Sequence, residues 1–440
     1  MKVNNLGPIS QGEIKIAPLT ILCGGNNQGK TYLSYTLYGL LRELPLMIKN
    51  FLREEEIDEF MEVGKLSFGI DYFQSRIVEN ILVNLKKEKL SFFTKVFKAK
   101  KEMFNDTDLD VSSEEIINIL GINNINFGTM KGLGTQVSID KEKDTYFMVM
   151  YSDENNKSLP IDSMTIMVDR IISLSIRDNI NSLYFPAERM GINVFRRQLN
   201  LNKIEMVDIL NDAINMNNND EDILKAISKI KSVFPKPIDD YLKYISDINY
   251  YESTTNELSS YVRDKIIRGK FIVDDNENSF YKIKSENNKN INGLIPLHIA
   301  SSSIKSIYGL DYFLDNLDFE INSIVIIDEP EMNLHPSNQV EIAYLLDMMV
   351  ASGIKVVIST HSDFLVRKIQ NIMLNNEIEE NTSGLNSKNV KVYDFINSTI
   401  QEIDLLDDTK GFHNFNDTVE LIEDEYLDLL DKLAEKRDKE

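Results

Sequence analysis

Apolar residues follow two patterns along this chain. The stretches "LTILC", "SIVIID" and "KVVIST" are apolar at nearly every position, as in strands covered on both faces within a parallel sheet. Elsewhere apolar positions return every three or four residues and predict helices. One runs from Gly29 to about Leu44, just before Pro45, and another from about Met164 to Asp178. The acidic tail holds a third, with Val419, Ile422, Tyr426, Leu430 and Leu433 on one face. Such a face docks on its own core or on a partner. β-branched and aromatic residues in "TQVSID" and "TYFMVMY" predict strands, "SLYFP" an extended segment ending at Pro186, and "VKVYDFINSTIQEIDL" a hairpin. Near the start, "GEIKIA" and "LTILC" read as two strands broken at Pro18.

Each fully apolar strand precedes a loop and a helix, the order of an α/β protein. The Asn-rich stretch from 196 to 290, with "NDAINMNNNDED" as its most loop-like piece, interrupts that order. The expected organisation is a split core over 1–50 and 290–400 and a helical and β lobe over 51–195. A mostly helical insertion over 196–289 and a C-terminal helix over 401–440 complete it.

Composition changes this picture in three places. A single cysteine, Cys23, at the end of an apolar strand excludes an internal disulfide framework and fits a reducing cytoplasm. No apolar run approaches a membrane span and the first residues carry no leader-like apolar core, so a cytoplasmic location away from membranes is expected. The 48 basic and 70 acidic residues give a net charge of −22, which argues against coating nucleic acid along the whole surface. Within "LKKEKLSFFTKVFKAKK", however, Lys86, Lys87, Lys89, Lys95, Lys98, Lys100 and Lys101 surround Phe92, Phe93 and Phe97. That stretch is either the solvated face of an amphipathic helix or a local patch for nucleic acid or an acidic protein.

The candidate chemistry begins at "GGNNQGKT", which spans Gly24, Gly25, Asn26, Asn27, Gln28, Gly29, Lys30 and Thr31 between a strand and a helix. It matches the phosphate-binding pattern G-x-x-x-x-G-K-[ST]: glycines let backbone N–H groups turn onto a phosphate, and the helix N-terminus adds its positive end. Lys30 would bridge the β- and γ-phosphates of ATP and the Thr31 hydroxyl would hold Mg²⁺. In "SIVIIDEPEMNLHP" four apolar residues place Asp328 at the carboxyl end of a buried strand, where it can hold Mg²⁺ directly or through water. Glu329, next to it, is placed to polarise the attacking water as general base. A third strand, "KVVIST", ends at His361, whose ring could bond the γ-phosphate and that water.

Taken together, "GGNNQGKT", "DEPE" and "STHS" resemble the ABC-class ATPases, and within them the SMC/RecF-like and OLD-family group more than transporters. The resemblance covers about residues 1–45 and 290–370 and implies an α/β, ABC-type P-loop ATPase with a mixed sheet core, an antiparallel β-subdomain and a helical insertion. It implies that Asn333, Leu334 and His335 face a dimer partner. A serine-led helix from the second subunit completes each ATP site in that class. "ASSSIKS" is in the right place but lacks the usual glycine pair, so Ser302 and Ser303 stand beside the alternative of an N-capping cluster. "YFPAERMG" is similar to a Y-x-P-x-R loop of OLD-like ATPases, with Arg189 either near the nucleotide or dimer seam or part of a structural turn. The sequence does not place the Q-loop glutamine of such ATPases, for which Gln136 is one candidate, and His298 and His413 read as structural.

No acidic motif suited to a nuclease domain follows His361, and no segment sustains coiled-coil heptads. The pattern is similar to stand-alone ATPase components of bacterial anti-phage systems of the PARIS or Septu type. It implies a dimer or higher homo-oligomer that hydrolyses ATP with Mg²⁺, senses a trigger and controls a separate effector, a nuclease or toxin. A RecF-like DNA-maintenance ATPase is the main alternative. A transporter subunit and a scaffold with a structural ATP site are the others.

Overall fold

A computed structural model gives the fold for residues 1–132, 135–152, 160–196, 198, 234–248, 256–275, 278–284, 293–319, 321–406, 425–427 and 429. "NDAINMNNNDED", His413 and four of the five apolar tail positions lie outside them. The fifth, Tyr426, stands 61% exposed.

The main sheet has nine strands in the order β5-β1-β2-β16-β15-β3-β14-β13-β9. In chain order these are β1 (Lys2–Leu6), β2 (Ile9–Glu13), β3 (Leu19–Gly24), β5 (Asp108–Asp110), β9 (Ile180–Phe185), β13 (Asn322–Asp328), β14 (Lys355–Ser359), β15 (Val390–Ile396) and β16 (Thr399–Ile403). Strands β9, β13, β14, β3 and β15 run parallel, while β1 pairs antiparallel with β2 and β5, and β15 with β16. The α/β class and the mixed sheet are therefore as expected. A separate four-stranded antiparallel sheet contains β4 (Lys65–Gly69), β6 (Thr129–Gly132), β7 (Thr135–Glu142) and β8 (Thr145–Ser152). A three-stranded one contains β10 (Gly269–Val273), β11 (Ser279–Ile283) and β12 (Leu294–Pro296).

The apolar runs are continuous because both faces of the sheet are covered. On β13, Ile324 and Ile326 join one core cluster, while Val325 and Ile327 join the other. The first core takes the buried faces of α1 (Lys30–Glu43), α3 (Ile70–Phe97), α4 (Ser113–Leu120) and α5 (Ile161–Asp178), with Phe60 of α2 (Glu54–Val63). The second core packs α6 (Lys236–Ser246), α7 (Glu257–Tyr261), α8 (Ser302–Asp315), α9 (Pro336–Ala351) and α10 (Asp363–Ile378).

Three local outcomes differ from the sequence reading. Strands β5 and β9, inside the expected 51–195 lobe, are members of the main sheet, and β16 carries the sheet past the expected boundary at 400 to residue 403. Strand β2 ends at Glu13, so "IKIA" lies outside the ladder. There the Tyr393 hydroxyl serves Lys15 instead, accepting from its N–H at 2.8 Å and donating to its carbonyl at 3.3 Å. Strand β1 was not foreseen, because Val3 and Leu6, three apart, are few among polar residues and show no alternation.

The hairpin between β15 and β16 was legible. Asn397 and Ser398 turn it with φ of 49 and 64, the doubly left-handed geometry of a two-residue β-turn. The lysine-rich stretch is the second half of α3 and the segment that follows it, with Phe92 and Phe93 buried and Lys98, Lys100 and Lys101 past the helix end. Lys89 pairs with Asp108 at 3.0 Å and Lys95 with Glu43 at 3.8 Å.

Candidate nucleotide site

Parallel register brings the site together. Asp328 pairs with Ser359, Ser359 with Leu22, and Ile327 with Phe185, so the carboxyl ends of β9, β13, β14 and β3 share one edge. Ligands of open α/β sheets bind at such an edge.

The loop from Gly24 to Thr31 leaves β3 there and enters α1. Two of its glycines are required by geometry. Gly24 has φ 128, and a Cβ on it would lie 2.7 Å from the Phe395 carbonyl oxygen. Gly29 has φ 102, and its Cβ would meet Ile9 Cγ1 at 2.5 Å. Gly25, Asn26 and Asn27 are exposed, Gln28 is half-buried, and Asn27 has φ 60. Lys30 is buried, and its Nζ donates to the Gly24 carbonyl at 2.9 Å and to the Gly25 carbonyl at 2.8 Å. Phosphate oxygens entering the loop would replace these acceptors. Burial pushes the Lys30 ammonium down, and Cys23, Glu329, Asp328 and Asp394 oppose that.

Asp328 is 6% exposed. Its carboxylate accepts hydrogen bonds from the hydroxyls of Tyr184 on β9 and Ser359 on β14. Burial pushes its carboxyl group up and those two hydroxyls pull it back. Tyr184 also bonds Ser34 of α1 at 3.0 Å and sits edge-on to Tyr35 and Tyr38. A hydroxyl relay thus runs from the phosphate-loop helix to the strand-end carboxylate. Mg²⁺ in nucleotide enzymes takes one or two protein ligands and fills the rest with phosphate and water. A single carboxylate held by two hydroxyl donors, with Thr31 exposed on the first turn of α1, fits that ion.

Glu329 lies beside His361, with its Oε1 3.8 Å from His361 Nε2. Burial, aided by the Lys30 charge, holds His361 below the ordinary imidazole range, so the ring is neutral at pH 7 and can share a proton with water. Glu331 positions this strand end. Its Oε1 accepts from the Thr360 hydroxyl at 2.7 Å and from the His361 N–H at 3.0 Å. Lys30, Asp328, Glu329 and His361 therefore form one constellation.

Other sequence candidates lie elsewhere or act otherwise. Arg189 is buried, and its guanidinium donates to main-chain carbonyls of Pro186, Ser306, Asp328 and Glu329. It is an internal clamp anchored in the turn at Pro186, as the structural alternative has it. Ser302 and Ser303 open α8, but the capping residue is Ser301, whose Oγ accepts from the Ile304 N–H at 3.4 Å and bonds Ser303 Oγ at 2.9 Å. Among the described residues, no hydrogen bond joins Ser302 or Ser303 to the phosphate loop. Leu334 is buried in the second core, which removes it from the expected partner-facing set, while Asn333 and His335 stay exposed. Gln136 lies in the four-stranded sheet opposite Tyr151, and His298 is exposed. The roles of Ser34, Tyr184, Ser359, Thr360 and Glu331 were missed. Only the pairing of strands distant in sequence reveals them.

Comparisons with known proteins bear on the family of the chain. A structure of the Smc head domain from Pyrococcus furiosus, bound to the C-terminal domain of ScpA, is 10% identical. The match covers 96% of this chain and 98% of that one, at a TM-score of 0.34. The SMC head domain from Thermotoga maritima is 8% identical, with 92% and 97% covered and a TM-score of 0.30. Such likenesses are too loose to bear on function. A search of curated proteins returned no match. Among the described residues no helix is long and apolar enough to cross a membrane. The family model for the AAA ATPase domain matches residues 1–366, and the chain, with its phosphate loop and acidic strand end on a mixed α/β sheet, belongs to that ATPase family.

Proposed function

We propose that the protein is a dimerising, Mg²⁺-dependent switch ATPase whose nucleotide state controls a separate effector, a nuclease or toxin, in anti-phage defence. What supports the dimer is that Lys30, Asp328, Glu329 and His361 converge, while Ser302 and Ser303 open α8 without a hydrogen bond to them. A second copy would bring those serines to the γ-phosphate. ATP would lie on Gly24, Gly25, Asn26, Asn27, Gln28, Gly29, Lys30 and Thr31, with Thr31 and Asp328 holding Mg²⁺. The ion would neutralise phosphate charge.

Glu329 takes the proton of the attacking water, and neutral His361 orients that water against the γ-phosphate. ATP binding closes the pair and hydrolysis reopens it, so an effector that prefers one state is gated by the other. Copurification from the native cells with the E329Q variant, which should lock the ATP-bound dimer, tests the reading. An effector nuclease or toxin held by locked E329Q and released by the ADP-bound protein supports it. A dimer that retains no such partner in either state sinks it.

The lysines just past the end of α3 favour a second reading, a RecF-like ATPase on DNA. Phe97, at the end of α3, stacks on Tyr32 of α1 with centroids 5.4 Å apart, which places exposed Lys98, Lys100 and Lys101 beside the phosphate-loop helix. DNA-stimulated hydrolysis that falls steeply with salt would identify that function.

A further inference from the structure

Glu329 is held in a backbone conformation that its side chain disfavours. Its φ is 47, in the left-handed region that a non-glycine residue occupies at a cost of about 1–3 kcal/mol and keeps only when its surroundings impose it. Three contacts impose it. The Glu329 N–H donates to the Ser359 carbonyl at 2.9 Å, and the Glu329 carbonyl accepts from the Met332 N–H at 3.0 Å. The third is Arg189: Nη2 donates to the Glu329 carbonyl at 2.7 Å and Nη1 to the Asp328 carbonyl at 2.6 Å.

That guanidinium is 3% exposed, and burying a cation is costly unless its donors are satisfied. Here its shortest bonds go to the two carbonyls that bracket Glu329. The remaining ones run from Nη1 to the Pro186 carbonyl just after β9 at 3.1 Å, from Nε to the Ser306 carbonyl of α8 at 3.3 Å and from Nη2 to the Pro330 carbonyl at 3.5 Å. We propose that Arg189 is a positioning residue for hydrolysis: from beneath the site, its guanidinium holds the peptide planes on both sides of Glu329 so that the carboxylate stands at His361. The proposal rests on Glu329 being the general base. A purely structural cross-link would lower stability and leave turnover per folded molecule intact.

R189K keeps the charge but loses the fork that reaches both carbonyls. A base misplaced by about 1 Å costs about 10²-fold in rate. The expected result is therefore a ten- to hundredfold fall in kcat, with KM for ATP and the affinity for ATPγS within about threefold of wild type. In an E329Q background R189K should cost nothing further, because the group it positions is already gone. Arg189→Gln, with free guanidinium added to refill the space, should regain part of the lost rate.

Wild-type kcat in R189K overturns the proposal, as does an equal fractional loss in the E329Q background. Failure of both Arg189 variants to fold and bind ATPγS also overturns it, since Arg189 is then a structural cross-link. Normal hydrolysis by E329Q instead overturns the general-base reading itself, so the two failures are told apart.

Discussion

Replacing Glu329 with Gln keeps the shape of the side chain and removes its basicity. Hydrolysis should fall by about 10²–10⁴-fold while ATP affinity is retained, as read by phosphate release beside fluorescent-nucleotide binding. His361 sets a pH dependence of known sign. Its folded pKa is depressed by burial and by Lys30, from an unfolded value of about 6.5. The stability it contributes is therefore complete above about pH 6.5 and lost as pH falls through the lower folded value. Urea midpoints measured against pH should show this acid loss in the wild type and a shallower one in H361Q. Tyr184→Phe removes a donor from the buried Asp328 carboxylate. It should cost about 1–3 kcal/mol in urea unfolding. The residues legible in the sequence were those that a local motif marks, such as Lys30 on its own loop and Asp328 at the end of an apolar strand. Tyr184, Arg189 and Glu331 act across β9, β13 and β14, and local pattern carries no record of which strands lie side by side.

Among elements, the phosphate loop and its helix were legible because the constraint is local. Gly29 must keep φ 102 with Ile9 against it. Gly29→Ala should lower the thermal midpoint and abolish nucleotide binding, whereas Gly25→Ala, with only Gln28 Cγ at 3.8 Å from the added carbon, should leave the midpoint unchanged. Differential scanning fluorimetry with and without ATP separates the two. Helix α8 was harder to read: "ASSSIKS" suggested both a cap and a partner-facing edge, and Ser301 takes the cap. Strand β1 escaped notice because two apolar residues among polar ones leave little alternation to detect, and its pairing with β2 and β5 depends on tertiary context.

Across the whole molecule, the completion of one copy's site by another can be tested by mixing. Lys30→Ala removes the phosphate lysine, and a Ser302→Ala, Ser303→Ala double variant removes the serines. Each should be inactive alone. A hybrid dimer has one damaged half on each side of one site and an intact pair at the other, so the mixture should recover a fraction of wild-type hydrolysis. Recovery at or below the sum of the two variants alone would mean that the serines serve their own subunit. The scale that sequence described least well is the grouping of distant segments. β5, β9 and β16 belong to the main sheet, although β5 and β9 fall in a stretch read as a separate lobe and β16 was legible only as half of a hairpin. A sheet recruits strands by the apolar faces left open to it, and composition along the chain does not show which faces those are.

One small fact about the floor of the phosphate loop reaches further. Cys23 is the only cysteine of the chain and is 0% exposed. Its thiol donates to the Tyr393 carbonyl at 3.3 Å, and burial pushes its pKa well above the usual range. A thiol reagent can reach it only when the second core that covers it opens, so the rate of its modification is a clock for breathing of the nucleotide core. ATP should slow that clock by the factor 1 + [ATP]/Kd when ligand binds only the closed form. The protein thus carries, without any engineered label, a stopwatch for its own opening.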